Sequence, residues 1–291
     1  MASLKEVKGR IASVNGTLKI TSAMKMVASA KLHKAQERIE GMLPYEEKLS
    51  YILNSFLESN PEVDTLLTTT RPVKKAALVV FASNGSLCGG YNSNVIHHFR
   101  EWVEAHESLG RDNLIIYPIG RKIEEAVCKA GFTPAGQFIH MADKPNREEA
   151  YQLADELTKR FEQEDFDSVD LLYNHFKSTA TQILTLKPFL PIDISRQNEN
   201  DSHKTDYNAD YIIEPSAEIF MKQLLPQVLR TQLFTALLDA NASEHAARTM
   251  AMQVATDNAN DLLQDLTLQY NKSRQQVITN ELLDIVSGSM A

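Results

Sequence analysis

The chain has 291 residues, 43% of them hydrophobic and 23% charged, and a formal net charge of −8. That composition describes a folded globular protein, excludes bulk disorder and argues against a general nucleic-acid binder. Two cysteines, Cys88 and Cys128, are too few for a disulfide framework, and no apolar run approaches the ~20 residues of a membrane span.

The N-terminal "MASLKEVKGRIAS" alternates charge with apolar residues, which is not the pattern of a signal or transit peptide. Leu4, Val7, Ile11, Val14 and Leu18 follow the 3-4 spacing of a coiled-coil seam. The apolar pattern then resumes in a shifted phase through Ile20, Met24, Val27, Leu32, Ala35 and Ile39, which reads as a stutter. A second helical run, with Leu49, Ile52, Leu53 and Phe56, is expected after Pro44 and fades before Pro61.

The central texture is different. "AALVVFA" (76–82), "NLIIYPIG" (113–120) and "SVDLLYN" (168–174) are strand-like, and helical patterns over 92–108, 121–130 and 147–164 alternate with them. Alternation of this kind predicts βαβ units and a mostly parallel sheet. "TQILTLKPFL" (181–190) reads as a further strand, with Pro188 placing its end near a sheet edge. "RQNENDSHKTDYNAD" (196–210) is polar and weakly patterned, as in a surface loop.

From Gln227 to Ser287 there is neither proline nor glycine, and alanine recurs throughout. Lacking breakers and rich in the best helix former, this stretch predicts one helix about 90 Å long. Most of such a helix cannot be buried in the core of a small domain, so it needs a long partner. The N-terminal segment is a candidate: residues 1–40 are basic, with Lys5, Lys8, Lys19, Lys25, Lys31, Lys34, Arg10 and Arg38. The C-terminal stretch is acidic, with Asp239, Glu244, Asp257, Asp261, Asp265, Glu281 and Asp284, which favours pairing of the two ends. The expected organisation is a coiled-coil helix over 1–58, an α/β base domain over 74–192, a polar loop over 193–210 and a second coiled-coil helix over 211–291.

Chemistry was sought first in "GSLCGG" (Gly85 to Gly90). It meets the G-x-x-x-x-G half of a phosphate loop, but Tyr91 and Asn92 stand where a lysine and a hydroxyl residue are needed. The dinucleotide fingerprint G-x-G-x-x-G is missing too. The plainer reading is a strand-to-helix turn whose glycines supply positive φ and close approach. Cys88, with His97 and His98 downstream, is a conceivable nucleophile for a hydrolase or NTPase, although lone cysteines are mostly buried small hydrophobes. Cysteine and histidine show no metal-ligand spacing, and His245 in "SEHAAR" suits helix packing. Met24 and Met26 beside Lys25 and Lys31 make an adaptable apolar face next to positive charge, equally at home in a coiled-coil core.

Together, "RIASVNGTLKITSAMKMVASAKLHKAQ" (10–36), "SLCGGYNSN" (86–94), "YIIEP" (211–215) and the stretch 242–289 beginning "ASEHAARTMAMQVATDN" resemble the gamma subunit of F-type ATP synthases. The matches lie at both ends and in the middle, in the family's order. The resemblance implies an antiparallel coiled coil of the terminal helices on a Rossmann-like α/β base, acting as a rotor shaft. It implies partners: a hexamer of alternating alpha and beta subunits, the epsilon subunit, and the c-ring of the membrane sector. It implies no nucleotide or metal cofactor on this chain, catalysis on the beta subunits, and a peripheral position on the cytoplasmic face of a bacterial inner membrane. By the same resemblance, Met24 and Lys25 face an acidic helix-turn-helix of the beta subunit. Arg274, Gln275 and Thr279 meet a beta-subunit loop near the top of the shaft, and the apolar tip 282–291 sits in a collar of the hexamer. Tyr211 and Glu214 belong to the foot against the c-ring, where Ile213 stands at an often aromatic position.

Overall fold

A computed structural model describes residues 4–59, 66–192 and 216–289, with the side chains of 57–59 left aside. The loop 193–210, Tyr211 and Glu214 lie outside the described residues. Two long helices, α1 (Leu4–Ser59) and the C-terminal Ala217–Ser289, run against each other and flank an α/β unit. That unit contains β1 (Ala76–Phe81), α2 (Tyr91–Ala105), β2 (Leu114–Ile119), α3 (Arg121–Lys129), α4 (Ile139–Asp143), α5 (Arg147–Glu162), β3 (Ser168–Phe176) and β4 (Gln182–Leu190). The C-terminal helix is therefore α6.

The sheet order is β2-β1-β3-β4. β1 runs parallel to both β2 and β3, with Ala76 beside Leu114 on one side and Ser168 on the other. β4 closes the sheet antiparallel to β3, and Pro188 sits opposite Asp170 on this edge strand, beside a register shift at Val169 and Asp170. An edge is where a residue without an N–H is tolerated. All six residues of β1 are buried, as a central parallel strand covered on both faces requires.

One face of the sheet, carrying Leu78, Val80 and Ile116, packs on Val95, Phe99 and Trp102 of α2 and on Ile123 and Val127 of α3. The other face, carrying Ala77, Val79, Phe81, Val169 and Leu171, packs on Leu153, Leu157 and Phe161 of α5. Leu53 and Phe56 of α1 and Leu225, Val228, Leu229 and Leu233 of α6 complete that core, so the shaft is rooted in the domain.

Three sequence expectations change. α1 is not interrupted at proline, since Pro44 lies inside it; α6 likewise runs through Pro226, from Ala217. An interior proline costs about 3 kcal/mol. Around Pro226 the burial of Leu224, Leu225, Val228 and Leu229 offsets that cost. Nor is there a stutter. Val7, Thr21, Ala28, Leu32, Ala35 and Ile39 are buried while Ile20 and Val27 are exposed, so the seam continues from Leu18 at unbroken 3-4 spacing. Small side chains at Thr21 and Ala28 let the helices approach, and the larger apolar residues beside them point outward.

The third change concerns charge. Among the described residues no ion pair joins α1 to α6. Exposed pairs are worth ~0–1 kcal/mol, too little to hold long lysines across a seam. Packing of Leu32, Ala35 and Ile39 against Leu238, Ala242 and Ala246 does that instead. Thr256 donates its hydroxyl to that of Thr21 (3.0 Å), fixing the antiparallel register. Stepping along both helices from that bond by three- and four-residue intervals brings Leu4 opposite Ser273. Beyond Ser273 the described part of α1 offers nothing to pair with.

Candidate functional site

The glycine turn is a joint between the base and the shaft. Leu87 and Gly89 both take positive φ (67° and 60°), whereas Gly90 at the start of α2 has φ −80°; the left-handed positions are thus one glycine and one exposed leucine. Cys88 is buried, with Sγ 3.2 Å from Asn92 Nδ2 and 3.8 Å from Ser83 Oγ. His97 and His98 are on the outer face of α2, near Glu101 at 3.3 and 3.7 Å. The thiol is thus surrounded by loop-stabilising amide and hydroxyl groups, and the histidines downstream are engaged elsewhere.

The turn faces α6. Arg248 Nη1 donates to the Ser86 carbonyl (2.5 Å), and its Nη2 meets Glu244 Oε1 (2.5 Å). A Cβ on Gly89 would lie 3.8 Å from Ala251 Cβ. Tyr91 donates its hydroxyl to the Ala240 carbonyl (3.0 Å). The 3.8 Å at Gly89 is ordinary contact distance, so Gly89 is needed for its positive φ rather than for space, and the turn packs against a helix.

Further polar contacts fasten the same turns of α6. Asp239 accepts from Phe176 N–H (2.6 Å) and lies 2.7 Å from His175 Nδ1. Asn241 donates to the Ala142 carbonyl (2.8 Å), and Ser243 donates to the Asn174 carbonyl (2.8 Å). These anchors are not evident from motif searching. The available signal was the density of polar residues in "DANASEHAAR" within an otherwise apolar, alanine-rich helix.

A groove of about 530 Å3 opens between α1, the glycine turn and α6, lined by Met24, Lys31, Arg121, Asp143, Glu244 and His245 among others. Burial pushes the Glu244 carboxyl above its ordinary range, opposed by the Arg248 guanidinium. Burial, then the positive charges of Lys31 and Arg248, lowers the His245 pKa to about 4. The imidazole is therefore neutral in the seam at neutral pH, and its Nδ1 has no hydrogen-bond partner among the described residues.

Met24 and Lys25 are half-buried on α1, Met24 in this groove and Lys25 on the seam line itself. The outward face beside them carries exposed Ile20 and Val27. Arg274, Gln275 and Thr279 are exposed on α6 beyond the end of the paired segment, about six to seven turns of helix away from Met24's level on the seam. Thr279 donates only to the Gln275 carbonyl one turn back (2.9 Å). Past them Val277, Ile278, Leu282, Leu283, Ile285 and Val286 are all exposed, up to 68% at Ile285. The expected contact residues thus fall into two separated surfaces on one rod. No described helix is long and apolar enough to cross a membrane.

The ATP synthase family profile matches residues 3–291. The chain is 62% identical to the ATP synthase gamma chain of Phocaeicola vulgatus over 292 residues and 58% identical to that of Bacteroides fragilis over 291 residues, covering all of each. Among solved structures it resembles a chain of the Euglena gracilis mitochondrial ATP synthase rotor, with a TM-score of 0.62 at 18% identity, over 94% of this chain and 98% of that one. A chain of the Tetrahymena thermophila mitochondrial ATP synthase central stalk and c-ring matches with a TM-score of 0.58 at 22% identity, over 81% and 99%.

Proposed function

The chain belongs to the ATP synthase gamma-chain family, and we propose that it is the turning central shaft of that enzyme, carrying torque between an ion-driven ring and the catalytic subunits. The observation that carries this reading is the uneven support of α6. Its lower turns are locked into the base by Asp239, Asn241, Ser243 and Arg248, while its last turns leave the coiled coil bare and apolar. An anchored foot and an exposed apolar tip are what a rod seated in a bearing needs. Contiguous apolar surface of this kind is uncommon on a free soluble protein.

In this reading the tip turns within a hexamer of alternating alpha and beta subunits, with Arg274, Gln275 and Thr279 touching a beta-subunit loop. Met24 and Lys25, beside the exposed Ile20 and Val27, meet an acidic beta-subunit segment lower on the shaft. The base, with Tyr211 and Glu214, sits on the c-ring and beside the epsilon subunit, at the cytoplasmic face of the bacterial inner membrane. ATP is made or hydrolysed on the beta subunits. The shaft contributes mechanics: its asymmetric surface pushes each catalytic subunit in turn between open and closed states.

The test is reconstitution. Alone, the purified chain should neither hydrolyse ATP nor bind it tightly. Mixed with alpha and beta subunits, it should enter a single hexameric complex and restore regulated ATPase. ATP hydrolysis by the isolated chain, or a native mass without the hexamer around it, would overturn the shaft reading.

A further inference from the structure

A second groove, of about 460 Å3, lies on the side of the shaft above the base. Its floor is Met42 of α1 with Phe234 and Leu238 of α6, and its rim carries Arg38, Lys144 and Arg147. Among the described residues no carboxylate lines it, an odd local balance for a chain of net charge −8. Nearby carboxylates are engaged elsewhere: Glu37 with His33 (3.6 Å), Glu46 with Lys187 (3.4 Å) and Glu149 with His140 (2.6 Å). Arg147 lies over the Tyr151 ring, 4.9 Å from its centroid, which holds the guanidinium at the rim without neutralising it.

The shape and chemistry narrow the occupant. An inorganic anion would use the rim and leave the floor wet. The start of α5 is not a free anion site, because Asn146 already accepts from the Glu148 N–H (3.1 Å). On the floor, Phe234 and Leu238 stand one turn apart on α6, and on α1 the floor residue Met42 lies one turn from Arg38 on the rim. That spacing suits the apolar stripe of a helix laid along the two, with acidic residues flanking it.

We propose that the groove formed by Arg38, Met42, Lys144, Arg147, Phe234 and Leu238 docks an acidic amphipathic helix of another subunit of the assembly. The charges steer and orient the helix, and the apolar floor supplies the contact area. The inference rests on the preceding reading that the chain works inside a multi-subunit complex.

The experiment uses the assembled complex purified from membranes. A water-soluble carbodiimide joins a lysine amine to a carboxylate in direct contact, and mass spectrometry maps the joined pair. Lys144 should couple to an Asp or Glu of a different subunit, in a segment with apolar residues three and four positions away. The R38E/R147E variant keeps Lys144, so its coupling should fall by about tenfold or more while the complex remains intact. Urea unfolding of that variant should match the parent, which separates docking from folding. An intact complex in which other lysines couple but Lys144 does not would overturn the proposal. So would coupling of Lys144 to a second copy of this chain, or an unchanged yield in R38E/R147E. Recovery of the chain with no partner subunit would instead remove the assembly reading beneath it.

Discussion

Replacing Arg248 with alanine should cost about 3–4 kcal/mol of stability at pH 7, and the loss should shrink as the pH falls. Arg248 is 16% exposed and its partner Glu244 only 6%, at 2.5 Å. Removing one member of a buried pair costs about 3–5 kcal/mol, because the remaining charge keeps its desolvation penalty. The nearby Lys31, which also draws the Glu244 pKa down, places this case near the lower end. The lost bond to the Ser86 carbonyl adds about 1 kcal/mol. The sign of the pH effect follows from Glu244, whose folded pKa lies above its unfolded one. A carboxyl of that kind costs nothing below its unfolded pKa; the cost grows as the pH rises through the folded pKa and is complete above it. Arg248→Ala removes two influences that hold this pKa down, so the penalty at pH 7 grows and is relieved on acidification. Equilibrium unfolding in urea, run on parent and variant from pH 4 to 8, reads the difference directly. E244Q/R248A should recover more than half of the loss, since it removes the stranded charge. A variant within about 0.5 kcal/mol of the parent at pH 7, or a difference that is flat across the pH range, would refute the clamp.

His245 titrates in the opposite sense. Its folded pKa of about 4 lies below the ordinary 6.5, so stability is intact above pH 6.5 and falls by about 3 kcal/mol as the pH drops to about 4; His245→Gln should flatten that acid limb in the same urea series. Gly120→Ala should be barely tolerated, because φ is +109° and the new Cβ would lie 2.1 Å from the Ala82 carbonyl oxygen. Gly16→Ala, with nothing within 4 Å, should raise the unfolding midpoint by the equivalent of about 0.5–1 kcal/mol. Lys25→Glu removes no ion pair among the described residues and should shift stability by less than about 0.5 kcal/mol. Its effect should appear instead in the assembled enzyme, as reduced coupling of ATP hydrolysis to ion transport.

Particular residues show what was legible in the sequence. β1 to β4, the flanking helices and the unbroken C-terminal run follow from apolar periodicity and from the absence of breakers over 227–287. The stutter failed because hydropathy ranks Ile20 and Val27 above Thr21 and Ala28, whereas the seam there selects for small size. Proline at 44 misled for a related reason: local propensity is worth a few kcal/mol, and a large buried face outweighs it. The Arg248 clamp joins residues 162 positions apart, and no local pattern encodes such a bond. With Tyr91 and Asn92 in place of a lysine and a hydroxyl residue, the turn reads as packing, and Gly89 does lie against Ala251.

The same contrast bears on how the shaft works. The helix beyond Ser273 is roughly sixteen residues, or about 24 Å, with no partner helix opposite the described residues. Isolated helices of that length are marginal in water, so this segment is the part of α6 least stabilised by its own chain. Seated in an apolar collar, it would gain support from non-directional contacts, each of which releases at modest cost as the shaft turns. Around Asp239 to Arg248 the opposite holds: directional hydrogen bonds and a buried ion pair fix one arrangement and resist twisting. Torque delivered to the base reaches the seam through those bonds together with the apolar root at Leu53, Phe56, Leu225, Val228, Leu229 and Leu233. Weakening the clamp should therefore lower the stiffness of the root and leave the fit of the tip unchanged. In single-molecule rotation of Arg248→Ala complexes held at the tip, torsional fluctuations should widen for a probe on the base and remain as in the parent for a probe on the coiled coil above the clamp. Equal widening for both probes would place the compliance along the coiled coil instead of at its root.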